Sequence, residues 1–273
     1  MDIVESYCEA KLSSDLIEDF MVSDQDFISV IDGATDKTGH RVNGVFGGQF
    51  VARTIAEAMA KRTVIPDDST FLEWVSAITN VVDRALSDAG WPSDLPRPCA
   101  CCVTYSRCRR EIWRVGDSNF RIDGVDHIGG KKIDDIISEH RAAMILAALG
   151  GGSTVVELLA NDIGRQAILP MLRDQHRHAN NPDSPLGYPV FDGRAISHGL
   201  LEVPVAVPSG AFVVLTSDGF DFPKDTLKAT IELQRLSYEA DPLRIGLDGA
   251  RPSTKGIHGL NRHDDQTYVS FYA

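Results

Sequence analysis

Apolar and polar positions follow two periods along this chain, and they alternate in blocks. Near the start, "EDFMV" and "DFISVID" have strand character and are separated by Ser23-Asp24-Gln25. This predicts a hairpin with Val22 opposite Phe27. A Gly-rich loop, "KTGHRVNGVFGG", precedes helical spacing in "QFVARTIAEAMAKR" and again in "STFLEWVSAITNVVDRALSDAG". In the second of these, Ser69 or Thr70 is the N-cap, Glu73 completes a capping box, and Leu72, Val75, Ile78, Val82 and Leu86 form the buried stripe. Strand character returns in "CACCVTYS" and "REIWRVGDSNFRID", joined by a short polar turn. "KKIDDIISEHRAAMILAALG" and "STVVELLANDIGRQAILPML" each read as a helix, and "RDQHRHANNPDSPLGYP" as a loop. "GLLEVPVAVPSGAFVVLTSDG" is strand-like, "DTLKATIELQRLSYEA" helical, and "QTYVSFYA" the last strand.

Strands therefore arrive in hairpin groups, with helices in pairs between them. A doubly wound fold would alternate strand and helix singly. The order implies an α+β fold of largely antiparallel sheets with helices packed outside, in one domain over residues 1–273.

Composition changes this picture little. Hydrophobic residues make up 43% of the 273 and charged residues 24%, as in ordinary globular proteins. No apolar run approaches the ~20 residues of a membrane span. The N-terminus lacks the pattern of a signal peptide, so a cytoplasmic protein is expected. The net charge of −12 disfavours nucleic acid and anionic membranes as partners; the basic stretch "SRCRREIWR" reads as a solvated hairpin edge. Four of the five cysteines lie in "CACCVTYSRC". On a strand Cys99 and Cys101 face one way and Cys102 the other, so the expectation is free thiols rather than a zinc site. "GVFGGQF" lacks the Lys-Ser/Thr of a phosphate loop, and His176 and His178 of "DQHRH" read as solvated loop residues.

The candidate chemistry is carboxylate. "FISVIDG" delivers Asp32 beside Gly33, and "FVVLTSDG" delivers Asp218 beside Gly219. With the hairpin register above, Glu18 lies opposite Ile31 and diagonal to Asp32. If "FVVLTSDG" pairs antiparallel with "DDQTYVSFYA", Asp218 meets Asp264 and Asp265. "IWRVGDSN" brings Asp117, again beside a glycine. Carboxylates gathered at one sheet edge need cations, and oxygen-only donors suit Mg²⁺ or Mn²⁺ first and Ca²⁺ next. A glycine beside each aspartate lets the backbone approach closely and can offer a carbonyl as a ligand.

In this order, "EDF", "VIDGATD", "FGG", "VGDSN", "VVLTSDGF" and "DDQTYVSF" resemble the metal-dependent type 2C (PPM) Ser/Thr protein phosphatases over essentially the whole chain. The resemblance implies a four-layer α-β-β-α sandwich, with two mainly antiparallel sheets flanked by paired helices. It implies two Mn²⁺ or Mg²⁺ ions, bridged by Asp32. Asp218 and Asp264 hold the first ion; Glu18 and the Gly33 carbonyl hold the second. Asp19 supports the site, and Asp117 with Asp218 matches the position of a weaker third ion. The implied activity is hydrolysis of phosphoserine or phosphothreonine in a phosphorylated protein partner, by a water activated between the ions and without a phosphoenzyme.

Three departures bear on the substrate. The family's phosphate-holding arginine, five residues before Asp19, is replaced by Ser14, with Lys11 the nearest basic residue. Ala34 follows the first Asp-Gly, where many members have His or Gly. The segment from about 128 to 195 does not match the family's flap region. These leave two alternatives open: a catalytically weak relative that binds a phosphorylated partner, and a phosphatase of small metabolites.

Overall fold

The computed structural model describes residues 2–35, 37–61, 65–257 and 262–273. Asp36 of the "VIDGATD" motif and Arg62 at the end of the first expected helix lie outside the described residues. The chain opens with β1 (Ile3–Glu9), the hairpin β2 (Asp19–Ser23) and β3 (Phe27–Gly33), the short pair β4 (Arg41–Val42) and β5 (Val45–Phe46), and helices α1 (Gly47–Ala60) and α2 (Phe71–Asp88). Strands β6 (Ala100–Ser106), β7 (Glu111–Val115), β8 (Asn119–Ile122) and β9 (Val125–His127) lead into α3 (Lys132–Gly150), α4 (Val155–Ala160) and α5 (Ile163–Asp174). Then follow β10 (Val205–Ala206), β11 (Phe212–Thr216), α6 (Leu227–Ala240) and β12 (Gln266–Tyr272).

Two antiparallel five-stranded sheets result, ordered β1-β12-β11-β8-β9 and β10-β7-β6-β3-β2. Together with the helices they make the expected α+β fold. One apolar cluster draws Ile28, Val30, Val103 and Tyr105 from the second sheet and Phe120, Val213, Leu215, Val269 and Phe271 from the first. Another joins the second sheet to α1 and α2, with Trp74 and Trp113 fully buried and their rings 5.6 Å apart. Val214, Tyr268 and Phe220 cluster with Leu227 at the start of α6. Helices α3 and α5 share a cluster with Cys101 of β6 through Ile133, Ile137, Ile168 and Leu172.

Several expectations are corrected. Val22 pairs with Ser29, not Phe27, so Asp19 rather than Glu18 ends the ladder, opposite Asp32. The turn sits one residue later than expected because the Asp24 carboxylate accepts the amides of Asp26 and Phe27, each at 2.8 Å, and closes the chain over Gln25-Asp26. "REIWRVGDSNFRID" is two strands: β7 lies in one sheet and β8 in the other, and the chain crosses between them at Gly116–Ser118. β1, absent from the expected elements, pairs antiparallel with β12 along the edge of the first sheet. The second long helix of the middle region is divided into α4 and α5, because Asp162 accepts the Arg165 amide and starts a new helix. Leu72 is 44% exposed, and Phe71 takes its place in the buried stripe.

The expected capping box is present at Thr70. Its hydroxyl accepts the Glu73 amide at 3.4 Å, and Glu73 Oε2 accepts the Thr70 amide at 2.8 Å. Thr70→Ala should lower stability by about 1 kcal/mol in urea denaturation, with no change in ligand binding.

Candidate active site

The carboxylates meet where hairpins and crossings end. β3 carries Asp32 to the edge, with Asp19 opposite it on one side and Cys101 on the other. One step further the Gly33 amide donates to the Glu18 carbonyl at 3.1 Å, which brings Glu18 to the same edge. β11 and β12 pair from Thr216↔Tyr268 outward, so Asp218 and Asp264 leave their strands side by side. Asp117 lies in the crossing between the sheets. The register thus differs from expectation, and the carboxylates come from the ends of two sheets rather than from one sheet edge.

Two close approaches fix these ends. A Cβ on Gly48 at the start of α1 would lie 2.1 Å from the Ala34 carbonyl oxygen, and one on Gly219 would lie 1.8 Å from the Asp265 carbonyl oxygen. The "FGG" and "SDG" glycines therefore serve packing of backbone on backbone.

Asp32 and Asp218 line a cleft of about 190 Å³ together with Asp117 and Asp264. Burial pushes the Asp32 carboxyl well above the usual carboxylate range, and the charges of Asp19, Asp264 and Asp117 add to it. Asp218 is pushed up likewise, by burial and then by Asp32, Asp117 and Asp264. Asp19 is also raised, by burial and then by Asp265; its Oδ2 accepts the Thr267 hydroxyl at 2.9 Å, which fixes it behind Asp32.

The outer carboxylates are different. Burial opposes the charge on Asp264, but Lys255 and Lys11 outweigh it and hold the carboxyl far below its usual range. Asp117 is lowered in the same way, burial being overcome by Lys131, whose Nζ lies 2.8 Å from Oδ2. Glu18 stays raised because burial exceeds the pull of Lys11. Its Oε1 is buried with no hydrogen-bond partner among the described residues.

Lys11 does not point to open solvent as a phosphate anchor would. Its ammonium donates to Glu18, Thr35 and Asp264, and these three acceptors exhaust its N–H groups. Ser14 lies in a short 3₁₀ turn. The basic side of the cleft comes instead from Lys37, Lys131, Arg165 and Lys255. The last three were not legible in the sequence, since each meets the carboxylates only through tertiary packing. Asp265 was legible only as a neighbour of Asp264. It accepts the backbone amides of Lys11 and Glu18, each at 2.7 Å, and so ties the N-terminal segment to β12.

Of the cysteine motif, Cys101 lines the carboxylate cleft. Cys101 clusters with α3 and α5 and Cys102 with the core of the second sheet, facing opposite ways as expected. Burial pushes the Cys99 thiol up to about 11 and Cys102 to about 12, which keeps them protonated. His176 and His178 bond locally, to the Arg173 carbonyl and the Ser184 hydroxyl, each at 2.7 Å. Arg109 and Arg114 of the basic stretch are engaged with the Asp68 carbonyl and Glu202.

The donor chemistry can now be set against a metal. Among the described residues no three carboxylate, His or Cys groups converge into a ready-made cage. Mg²⁺-type ions need less: one or two carboxylates, with waters and substrate phosphate oxygens completing the shell. Asp32 and Asp218 fit that requirement, being crowded, oxygen-only and open to the cleft.

No protein-family model matches the chain, and no curated protein matches it in sequence. Solved structures match over nearly its full length. The Mycobacterium tuberculosis serine/threonine phosphatase PstP/Ppp is 14% identical, covering 97% of this chain and 96% of that one, with a TM-score of 0.50. A catalytic domain of PstP in complex with two manganese ions is 15% identical over 97% and 95%, at 0.49. The PPM Ser-Thr phosphatase MsPP from Mycobacterium smegmatis is 13% identical over 99% and 98%, at 0.43. The fold is that of the PPM-type Ser/Thr phosphatases. Among the described residues no helix is long and apolar enough to cross a membrane.

Proposed function

We propose that this chain is a metal-dependent phosphomonoester hydrolase acting on phosphoserine or phosphothreonine of a protein partner. The observation that carries the reading is the meeting of Asp32 and Asp218, from opposite ends of the chain, as two carboxyls crowded by like charge in one cleft. A hard divalent cation bound there would supply a water of lowered pKa and neutralise charge on the phosphoryl group.

The chain's own residues do the rest. Asp32 and Asp218 would hold the cation, and Asp19 and Thr267 keep the Asp32 end of β3 in place. Arg165 reaches the cleft from α5. It donates one N–H to the Thr254 carbonyl at 3.0 Å and presents the remainder of its fork to phosphate oxygens, the task that Ser14 is unable to perform. Lys255 adds positive charge on the same side. Buried, protonated thiols near the site offer no competing nucleophile.

The expected result is release of inorganic phosphate from a phosphothreonine peptide, and hydrolysis of p-nitrophenyl phosphate, on addition of Mn²⁺ or Mg²⁺. Both should be abolished by EDTA. A second reading, a catalytically weak relative that holds a phosphorylated partner, draws on the lysines that already neutralise Asp117 and Asp264. It predicts retention of the phosphopeptide with no phosphate release under any metal, and that outcome would displace the hydrolase reading.

A further inference from the structure

We infer that Lys11 and Lys131 are built-in cations standing where the resemblance implies second and third metal ions, so that this chain loads one divalent cation, between Asp32 and Asp218. The inference rests on the hydrolase reading and sharpens it.

Lys11 Nζ lies 3.0 Å from Glu18 Oε2, 2.8 Å from Asp264 Oδ1 and 2.9 Å from Thr35 Oγ1. Glu18 and Asp264 are the two side chains that the resemblance assigns to separate ions, and here one ammonium spans them. Asp264 is engaged on its other oxygen too, with Lys255 Nζ 3.0 Å from Oδ2. Lys131 Nζ lies 2.8 Å from Asp117 Oδ2, at the place of the implied third ion, and 3.6 Å from Asp134.

These are not loose surface pairs. The Lys11 and Lys131 side chains are only 13% and 12% exposed. A shielded ammonium among carboxylates is held by partially desolvated ion pairs, and withdrawing it would leave buried charge on both sides. Each lysine is also tethered to the chain, so a free cation competes with a group already present at high local concentration. Among the described residues no lysine or arginine forms an ion pair with Asp32 or Asp218. A cation entering between those two displaces nothing and relieves like-charge crowding. One entering at Glu18 or Asp117 must first expel a lysine.

The test counts ions rather than turnover. Mn²⁺ bound per full-length chain is read at equilibrium from the loss of the free-Mn²⁺ electron paramagnetic resonance signal, for wild type, Lys11→Met, Lys131→Met and Asp218→Asn. Wild type should bind one ion, each lysine variant two, and Asp218→Asn none. Binding of two or more ions by wild type, with no gain in the lysine variants, overturns the inference and leaves the hydrolase reading standing. No ion on wild type defeats the metal-dependent reading. In that case the single-ion inference falls with it, whatever the lysine variants bind. Circular dichroism reports folding, and the variants lie on different segments, so loss of one fold leaves the other to decide.

Discussion

Asp218→Asn should leave a folded protein that no longer hydrolyses phosphomonoesters. The amide has the shape of the carboxylate but lacks its charge, and Asp218 is half of the pair proposed to hold the cation. Loss of a charged ligand at the reacting centre should lower kcat/KM for p-nitrophenyl phosphate at least about 10³-fold, or about 4 kcal/mol of transition-state stabilisation. The fold should not suffer. The Asp218 carboxyl is raised by burial and by Asp32, Asp117 and Asp264. A carboxyl whose folded pKa exceeds its unfolded value contributes stability below the unfolded pKa and loses it as pH rises through the folded one. At neutral pH the charged form is thus a cost to the metal-free fold, and asparagine removes it. The variant should melt, in EDTA, at or above the wild-type temperature. More than a tenth of wild-type activity in Asp218→Asn would remove Asp218 from the proposed mechanism.

Arg141→Met should be the most destabilising of the substitutions considered, although Arg141 touches no carboxylate of the cleft. The side chain leaves α3 fully buried. Its Nε and one terminal nitrogen donate to Asp162 Oδ2 at 2.9 and 2.7 Å, and its guanidinium also reaches the carbonyls of Leu243 at 2.9 Å and Ser253 at 2.9 Å. Methionine would fill part of the volume and leave a carboxylate and several carbonyls without donors. Breaking a buried pair in this way costs about 3–5 kcal/mol. Urea denaturation should show a lower midpoint with the slope unchanged. The loss also reaches function. Asp162 caps α5, which carries Arg165, and the 243–253 segment leads to Lys255. Phosphate release should therefore fall as well, with KM rising more than kcat falls. A midpoint within experimental error of wild type would show that these bonds are replaced by water.

Much of this architecture is local in origin. Thr70 and Glu73 cap α2 from within four residues, and the Asp-Gly endings of "FISVIDG" and "FVVLTSDG" mark where two strands stop. The antiparallel partners β2 and β3, and β11 and β12, follow from hydrophobic runs and turns. The register of the first hairpin did not follow. It depends on the Asp24 carboxylate closing the turn, a hydrogen-bonding choice to which the apolar pattern is blind. Leu72 and Phe71 were exchanged for a related reason: adjacent apolar residues at a helix start compete for one buried slot, and the aromatic cluster around Trp74 and Trp113 decides between them.

The carboxylates themselves belong to the local part. Antiparallel reversal brings Glu18 near Asp32 at the end of one sheet and Asp218 near Asp264 at the end of the other, and a strand pattern is enough to infer each pair; their meeting in one place depends on how the two sheets pack. Their counter-charges belong to the other part. Lys11 reaches Asp264 across most of the chain, Lys131 meets Asp117 only once β8 and β9 have folded back, and Arg141 meets Asp162 only once α3 lies against the start of α5. Long flexible side chains carry no periodic signature of their partners, since their ends lie several bonds from the backbone that sets the pattern. The sequence alone marked which strands end in carboxylates. Which of those charges are already neutralised, and by what, was decided only by the tertiary structure, because it depends on distances between segments that the chain order leaves free.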